Sequence, residues 1–243
     1  MNLRRILFYN LLGVTLVTTW WLPQFLVWSS VDDAIFWFFN QFITADHPTW
    51  TSILAGLNTR AFDKAMFVLL VVMLYAAMKR DPQGSWLKWG VIGFVMTATA
   101  LVLQDIIHNL MTYKHASPTG MLDNVNLLTN LTSLPAKDTA SSSFPSDHGL
   151  MAMIFAAFMW HFADRLIAWL ATALVVLVCA PRIMVGAHWV SDVYVGALSI
   201  ALIALPWVLC TPLASAAVNN LIQLFKRLSA ALSHRHTHTR GDS

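Results

Sequence analysis

Two short stretches of the chain hold side chains suited to chemistry at phosphorus. The first is Ser143-Phe144-Pro145-Ser146-Asp147-His148-Gly149; the second runs Arg182-Ile183-Met184-Val185-Gly186-Ala187-His188-Trp189-Val190-Ser191-Asp192. Arg182 offers a planar, permanently charged fork for phosphoryl oxygens. His188 and Asp192 are i and i+4, so on a helix they share a face. The carboxylate would then hold one ring nitrogen and leave the other as a nucleophile. His148 suits the protonation of a leaving oxygen. Ser146 and Asp147 stand before an apolar run, where the free N–H groups and positive dipole end of a helix hold an anion. Taken singly, either histidine reads as an interfacial residue and Asp192 as a helix-terminus charge. The joint spacing R-x5-H-x3-D downstream of P-S-x-H argues against that plain reading.

Nothing in the spacing of carboxylates, cysteines or histidines demands a metal. Charge neutralisation falls to Arg, Lys and backbone N–H groups. All twelve acids are aspartate and there is no glutamate, so proton transfer falls chiefly to the histidines.

The elements that must position these groups follow from composition. Of 243 residues, 57% are hydrophobic and only 11% charged, where a soluble domain carries about 25% charge. Disorder and a disulfide scaffold are excluded, and an integral membrane protein is indicated. Cys179 and Cys210 lie in apolar runs and read as small buried hydrophobes. The net charge of +3 comes without a basic, aromatic-interleaved stripe, which argues against nucleic acid.

Six apolar runs are expected to span the membrane, at about 6–28, 61–78, 89–110, 148–163, 167–187 and 193–213. Residues 32–44, aromatic and acid-led, fit a helix lying in the interface. Residues 111–147 form the longest polar stretch and read as a functional loop. Residues 1–213 read as one membrane-embedded domain and 214–243 as a cytoplasmic tail. Six spans put both termini on one side, and the positive-inside rule places that side in the cytoplasm. Ten of fifteen Lys/Arg then lie inside (Arg4, Arg5, Lys79, Arg80, Lys88, Arg165, Lys226, Arg227, Arg235, Arg240). Arg60, Lys64, Lys114, Lys137 and Arg182 lie outside, so the loop and the 182–192 turn meet at one outer face. Arg60 is a candidate phosphate ligand or an ion pair with Asp63 at contact spacing. Asp105 reads as an interfacial residue, and His234, His236 and His238 as part of a solvated tail.

These residues resemble the type 2 phosphatidic acid phosphatase superfamily, whose motifs are K-x6-R-P, P-S-G-H and S-R-x5-H-x3-D. The resemblance implies an all-α, six-helix membrane fold with the haloperoxidase-like helical core. It implies that His188 is the nucleophile, Asp192 its orienting partner and His148 the general acid, with Ser146 and Arg182 binding phosphate. It implies no metal and no organic cofactor. The chain departs from the pattern at Asp147, in place of glycine, and at Pro181, in place of serine. The first motif is degenerate: Tyr113-Lys114-His115-Ala116-Ser117-Pro118-Thr119 stands there, making Lys114 and His115 the candidate phosphate contacts.

Further segments, among them Asn58-Thr59-Arg60-Ala61-Phe62-Asp63 and Pro135-Ala136-Lys137-Asp138, resemble the branch of the superfamily that phosphorylates lipid A. That branch implies phosphoryl transfer from undecaprenyl diphosphate to the 1-phosphate of lipid A at the periplasmic face of a Gram-negative inner membrane. The competing reading with the same residues is a phosphatase acting on undecaprenyl diphosphate or phosphatidylglycerol phosphate. A channel or transporter is disfavoured, because the polar residues gather at one face instead of recurring at the midplane.

Overall fold

The computed structural model describes residues 1–22, 27–111, 113 and 115–238, with 233–238 as backbone only. Lys114 and the side chains of His234, His236 and His238 lie outside the described residues. All regular structure among the described residues is helical. In order these helices are α1 (Leu3–Trp21), α2 (Val27–Asn40), α3 (Pro48–Leu57), α4 (Arg60–Arg80), α5 (Trp86–Leu110) and the short α6 (Pro118–Met121). They continue with α7 (Asp147–Phe162), α8 (Arg165–Met184), a π-helical segment Asp192–Leu198 running into α9 (Ser199–Leu209), and α10 (Leu213–His238).

The helix starts are written in short polar residues. Thr59 accepts from Phe62 N–H at 3.2 Å and Ser85 from Lys88 N–H at 3.1 Å. Ser146 accepts from Gly149 N–H at 3.3 Å, and Asp164 from Leu166 and Ile167 N–H at 2.8 and 3.1 Å. Each satisfies amide groups that the first turn leaves free.

The protein is a multi-pass membrane protein. Among the described residues four helices are long and apolar enough to cross a bilayer: α4, α5, α8 and the Asp192–Leu209 segment. The two other expected spans fall outside that set. α1 has 19 residues and begins with Arg4 and Arg5 in its first turn, and α7 has only 16. At about 1.5 Å per residue α7 is shorter than a ~30 Å hydrocarbon core. Its surroundings account for this. Leu150, Ile154, Phe155, Phe158 and Met159 of α7 are buried in the main apolar cluster with Ile92 of α5, Leu174 of α8 and Leu205 of α9. A helix enclosed by other helices does not have to match lipid thickness.

α1 lies against α9 at very close range. A Cβ at Gly13 would come within 2.7 Å of Ile203 and 2.9 Å of the Ser199 carbonyl, so only glycine lets the backbones approach so closely. Asn10 donates to the Leu202 and Ile203 carbonyls beside this contact.

Two expectations are refined. The interfacial segment at 32–44 is a helix that begins five residues earlier, and it is fastened to the protein. Its residues Asp32, Phe36 and Asn40, spaced i, i+4, i+8, are its buried face. Asn40 exchanges hydrogen bonds with Asn126 of the long loop, at 2.8 and 3.0 Å. The tail expected at 214–243 is, as far as it is described, the helix α10 (Leu213–His238), which packs on α5. α3 had no signal in the apolar pattern. Its Leu54 and Ala55 pack with Ile43, Leu128, Ala136, Val185 and Ala187 in a second small core, which seats the 111–147 loop against the turn after α8.

Candidate active site

The site lies where α7 begins and α8 ends. Ser146 N–H donates to the Asp192 carbonyl at 3.1 Å, so backbone joins the two stretches directly. The turn from 185 to 189 depends on Gly186, whose φ of +79° belongs to the left-handed region. A Cβ there would also strike Phe36 at 2.5 Å. The Arg182 carbonyl accepts from both Ala187 and His188 N–H, at 3.0 and 3.1 Å.

His188 is not helical, contrary to the shared-face expectation; it sits in the bend before the helix that carries Asp192. The pair forms nonetheless. His188 Nδ1 lies 3.2 Å from Asp192 Oδ2, which also accepts from Trp189 N–H at 2.8 Å. Asp192 is fully buried. The π-helical turn that begins at Asp192 is a geometry often found at functional sites. With Nδ1–H donated to Asp192, Nε2 of His188 is the nitrogen with a free lone pair.

Arg182 is buried at the end of α8, and its guanidinium donates to Asp63 near the start of α4. His148 stands at the second position of α7, with Nε2 3.8 Å from the same carboxylate. It also lies within electrostatic reach of Arg182, His188 and Lys137. The topology therefore brings Arg182, His148, His188 and Asp192 together, because α7 and α8 pack side by side and the start of one meets the end of the other.

Three sequence expectations are revised. Ser146 is buried and its hydroxyl accepts from Gly149 N–H of its own helix, so it shapes the α7 N-terminus and keeps only its O–H for a ligand. His115 turns its Nδ1 toward Asp192, 3.9 Å from Oδ1; neither atom has a hydrogen-bond partner among the described residues. Its ring stacks on Trp189 at 5.7 Å, and Trp189 Nε1 is tied to the Ala116 carbonyl at 2.8 Å. His115 is thus placed to steer Asp192 from the side opposite His188. Asp63 pairs with Arg182, Lys137 and His148 among the described residues, and Arg60 is exposed.

Sequence reasoning missed two carboxylates. Asp63 looked like a local partner of Arg60, because only i+3 spacing was visible. Asp32 looked like the start of an interfacial helix. It is buried, and its Oδ1 accepts from Ser191 N–H at 2.8 Å, fixing α2 against the turn that bears His188. Burial pushes its carboxyl above the usual carboxylate range, and the Ser191 hydrogen bond opposes that only in part. Nothing in the sequence marks Asp32 as buried, because the face it shares with Phe36 and Asn40 is mostly polar. Thr119 and Asp138 support the same turn: Thr119 donates to the Asp138 and Gly186 carbonyls, and Asp138 accepts from Thr129 N–H at 2.9 Å.

A buried Arg, a His–Asp pair and a second histidine at a helix N-terminus form the kind of site that acts on phosphate, on an all-helical membrane frame. The chain belongs to the PAP2 superfamily, which it matches over residues 93–215. It is 36% identical over 213 residues to the lipid A 1-diphosphate synthase of Escherichia coli (strain K12), a match covering 87% of this chain and 90% of that protein. Two solved structures are also similar. The first transmembrane PAP2-type phosphatidylglycerolphosphate phosphatase, from Bacillus subtilis, is 16% identical and has a TM-score of 0.49, covering 92% of this chain and 96% of that chain. Aquifex aeolicus LpxE is 20% identical and has a TM-score of 0.45, covering 72% of this chain and 92% of that chain.

Proposed function

We propose that this protein moves a phosphoryl group from undecaprenyl diphosphate to the 1-phosphate of lipid A, releasing undecaprenyl phosphate. The observation that carries the choice of acceptor is the 36% identity, across most of both chains, to a lipid A 1-diphosphate synthase. The side-chain geometry supports the route. His188 Nε2 attacks the terminal phosphorus, and the bond from phosphorus to the bridging oxygen breaks. His148 delivers a proton to that oxygen as undecaprenyl phosphate leaves. Asp192 keeps Nδ1–H oriented and offsets the positive charge of the phosphohistidine. Arg182 binds the equatorial oxygens, and the free N–H groups at the start of α7 add neutral donors. A 1-phosphate oxygen of lipid A then attacks the same phosphorus and frees His188.

His188, His148 and Asp192 are the proposed catalytic residues, with Arg182 and the α7 N-terminus as the phosphate cradle. The proposed setting is a Gram-negative inner membrane crossed six times, with the site on the periplasmic face and both termini in the cytoplasm. The distribution of Lys and Arg supports this orientation. The test is to incubate purified protein in detergent with undecaprenyl diphosphate labelled at the terminal phosphate, with and without lipid A. The proposal expects label on lipid A. Label released only as free phosphate in both samples would reject transfer in favour of hydrolysis.

A further inference from the structure

The Asp63 cluster is larger than the motifs require. Four elements meet there: Asp63 from α4, Lys137 from the long loop, His148 from the start of α7 and Arg182 from the end of α8. Arg182 donates to Asp63 Oδ1, His148 Nε2 stands 3.8 Å from the same oxygen, and Lys137 Nζ stands 3.9 Å from Oδ2. One carboxylate therefore faces two permanent cations and an imidazole. The cluster is closed on one side and open on the other: the side chain of Arg182 is 6% exposed, Asp63 25%, His148 41% and Lys137 47%. Lys137 is held in this position by its backbone, whose N–H donates to the Asn58 carbonyl at 2.9 Å, just ahead of α4. Asp63 lies before residues 93–215, so it stands outside the part of the chain that matches the superfamily.

We infer that Asp63 is a built-in counter-ion occupying the place of a substrate phosphate, and that Lys137 binds that phosphate when it displaces Asp63. The inference rests on the phosphotransfer reading of the same site and adds to it a residue that binds and a residue that yields. The charge balance supports it. Asp63 compensates only one of the two permanent cations, Arg182 and Lys137; once it swings away, a phosphate dianion arriving from the open side balances both. Arg182 is too buried to be left without an anion, so a carboxylate must hold it while the site is empty. That carboxylate would repel the incoming phosphate unless it swings away. A diphosphate donor also carries two phosphates. The one that takes the place of Asp63 is the one transferred, and Lys137 on the open side is placed to hold it together with Arg182. In the transfer, Asp63 neither accepts nor donates a proton; it exchanges one ion-pair partner for another.

The experiment measures vanadate binding by calorimetry to purified protein at a fixed pH, with Asp63→Asn, Lys137→Gln and Lys137→Arg beside the unaltered chain. Asp63→Asn removes the competing charge and keeps a hydrogen-bond acceptor for Arg182. The inference expects vanadate to bind about tenfold more tightly to Asp63→Asn. It expects Lys137→Gln to raise KM for undecaprenyl diphosphate about tenfold while kcat stays within about threefold, with Lys137→Arg restoring most of the loss. Unchanged or weaker vanadate binding in Asp63→Asn would show that Asp63 merely anchors Arg182, and would overturn the inference. So would a fall in kcat without a rise in KM for Lys137→Gln. Lys137 is exposed, so its variants read out even if Asp63→Asn does not fold. Vanadate binding needs no lipid acceptor. A failure of the transfer reading, seen as hydrolysis by the unaltered chain, is therefore distinguishable from a failure here.

Discussion

Aspartates meet cations at both ends of the α4–α5–α7–α8 group, and the two ends use them differently. At the end away from the site, Asp81 pairs with Lys88 at 2.6 Å and also accepts from Trp89 Nε1 at 3.0 Å. Asp164 pairs with Arg80 and caps α8. Each carboxylate there has one cation and two further donors, with both oxygens hydrogen-bonded. At the site end Asp63 is shared by three cationic or imidazole groups, and Asp192 stands between two histidines with Oδ1 lacking a hydrogen bond among the described residues. The first arrangement is complete and secures turns. The second is over-subscribed or under-bonded, which suits groups that wait for a ligand or hold a nucleophile.

Substitutions at the two ends should separate sharply. The largest effect belongs to His188→Ala, expected to lower kcat by more than about 10³-fold because the proposed nucleophile is gone. Asp192→Asn is expected to cost about 10²–10⁴-fold, since an amide can orient the wrong tautomer and cannot balance the charge on the ring. Transfer assays with labelled donor measure both, and full activity in either would remove the distinction between the ends. Next comes His115→Ala, expected to cost about tenfold in kcat with KM little changed, as its place beside Asp192 implies. A rise in KM alone would return His115 to the role of a phosphate ligand.

At the other end, Asp164→Ala should lower stability by about 1 kcal/mol through loss of the α8 cap, with transfer unaffected. Thermal unfolding in detergent gives the stability and the same assay gives the activity. The smallest effect is on pH dependence. The Lys88 hydrogen bond beside Asp81 and the Arg80 hydrogen bond beside Asp164 hold both carboxyls below the usual carboxylate value of 3.8. Such groups stabilise the folded chain fully above their unfolded value and lose that contribution as pH falls through the folded value. The unfolding midpoint should therefore drop as pH is lowered from about 5 toward 3, and Asp81→Asn with Asp164→Asn should flatten that drop.

The contrast also explains what the sequence makes legible. The apolar runs predict helix positions closely: the expected 61–78, 148–163 and 167–187 appear as Arg60–Arg80, Asp147–Phe162 and Arg165–Met184. Burial in lipid or core is a property of long runs and survives in a single sequence. The His188–Asp192 pair is legible because both partners are close in the chain. Asp63 and Arg182 are 119 residues apart, and nothing local announces their meeting. The turn of His115 toward Asp192 is equally hidden, because it depends on Trp189 stacking across a loop. α2 was half legible: its aromatic content marked it as amphipathic, but its grip on Ser191 is a tertiary contact.

His188 Nε2 is the atom proposed to carry the phosphoryl group. The direct measurement is to mix the protein with donor labelled at the terminal phosphate, without acceptor, and quench in alkali. The account predicts protein-bound label that is alkali-stable and acid-labile, maps to His188, is absent from His188→Ala and moves to lipid A when acceptor is added. Rapid transfer to lipid A with no label ever found on the protein, or label persisting in His188→Ala, would contradict it.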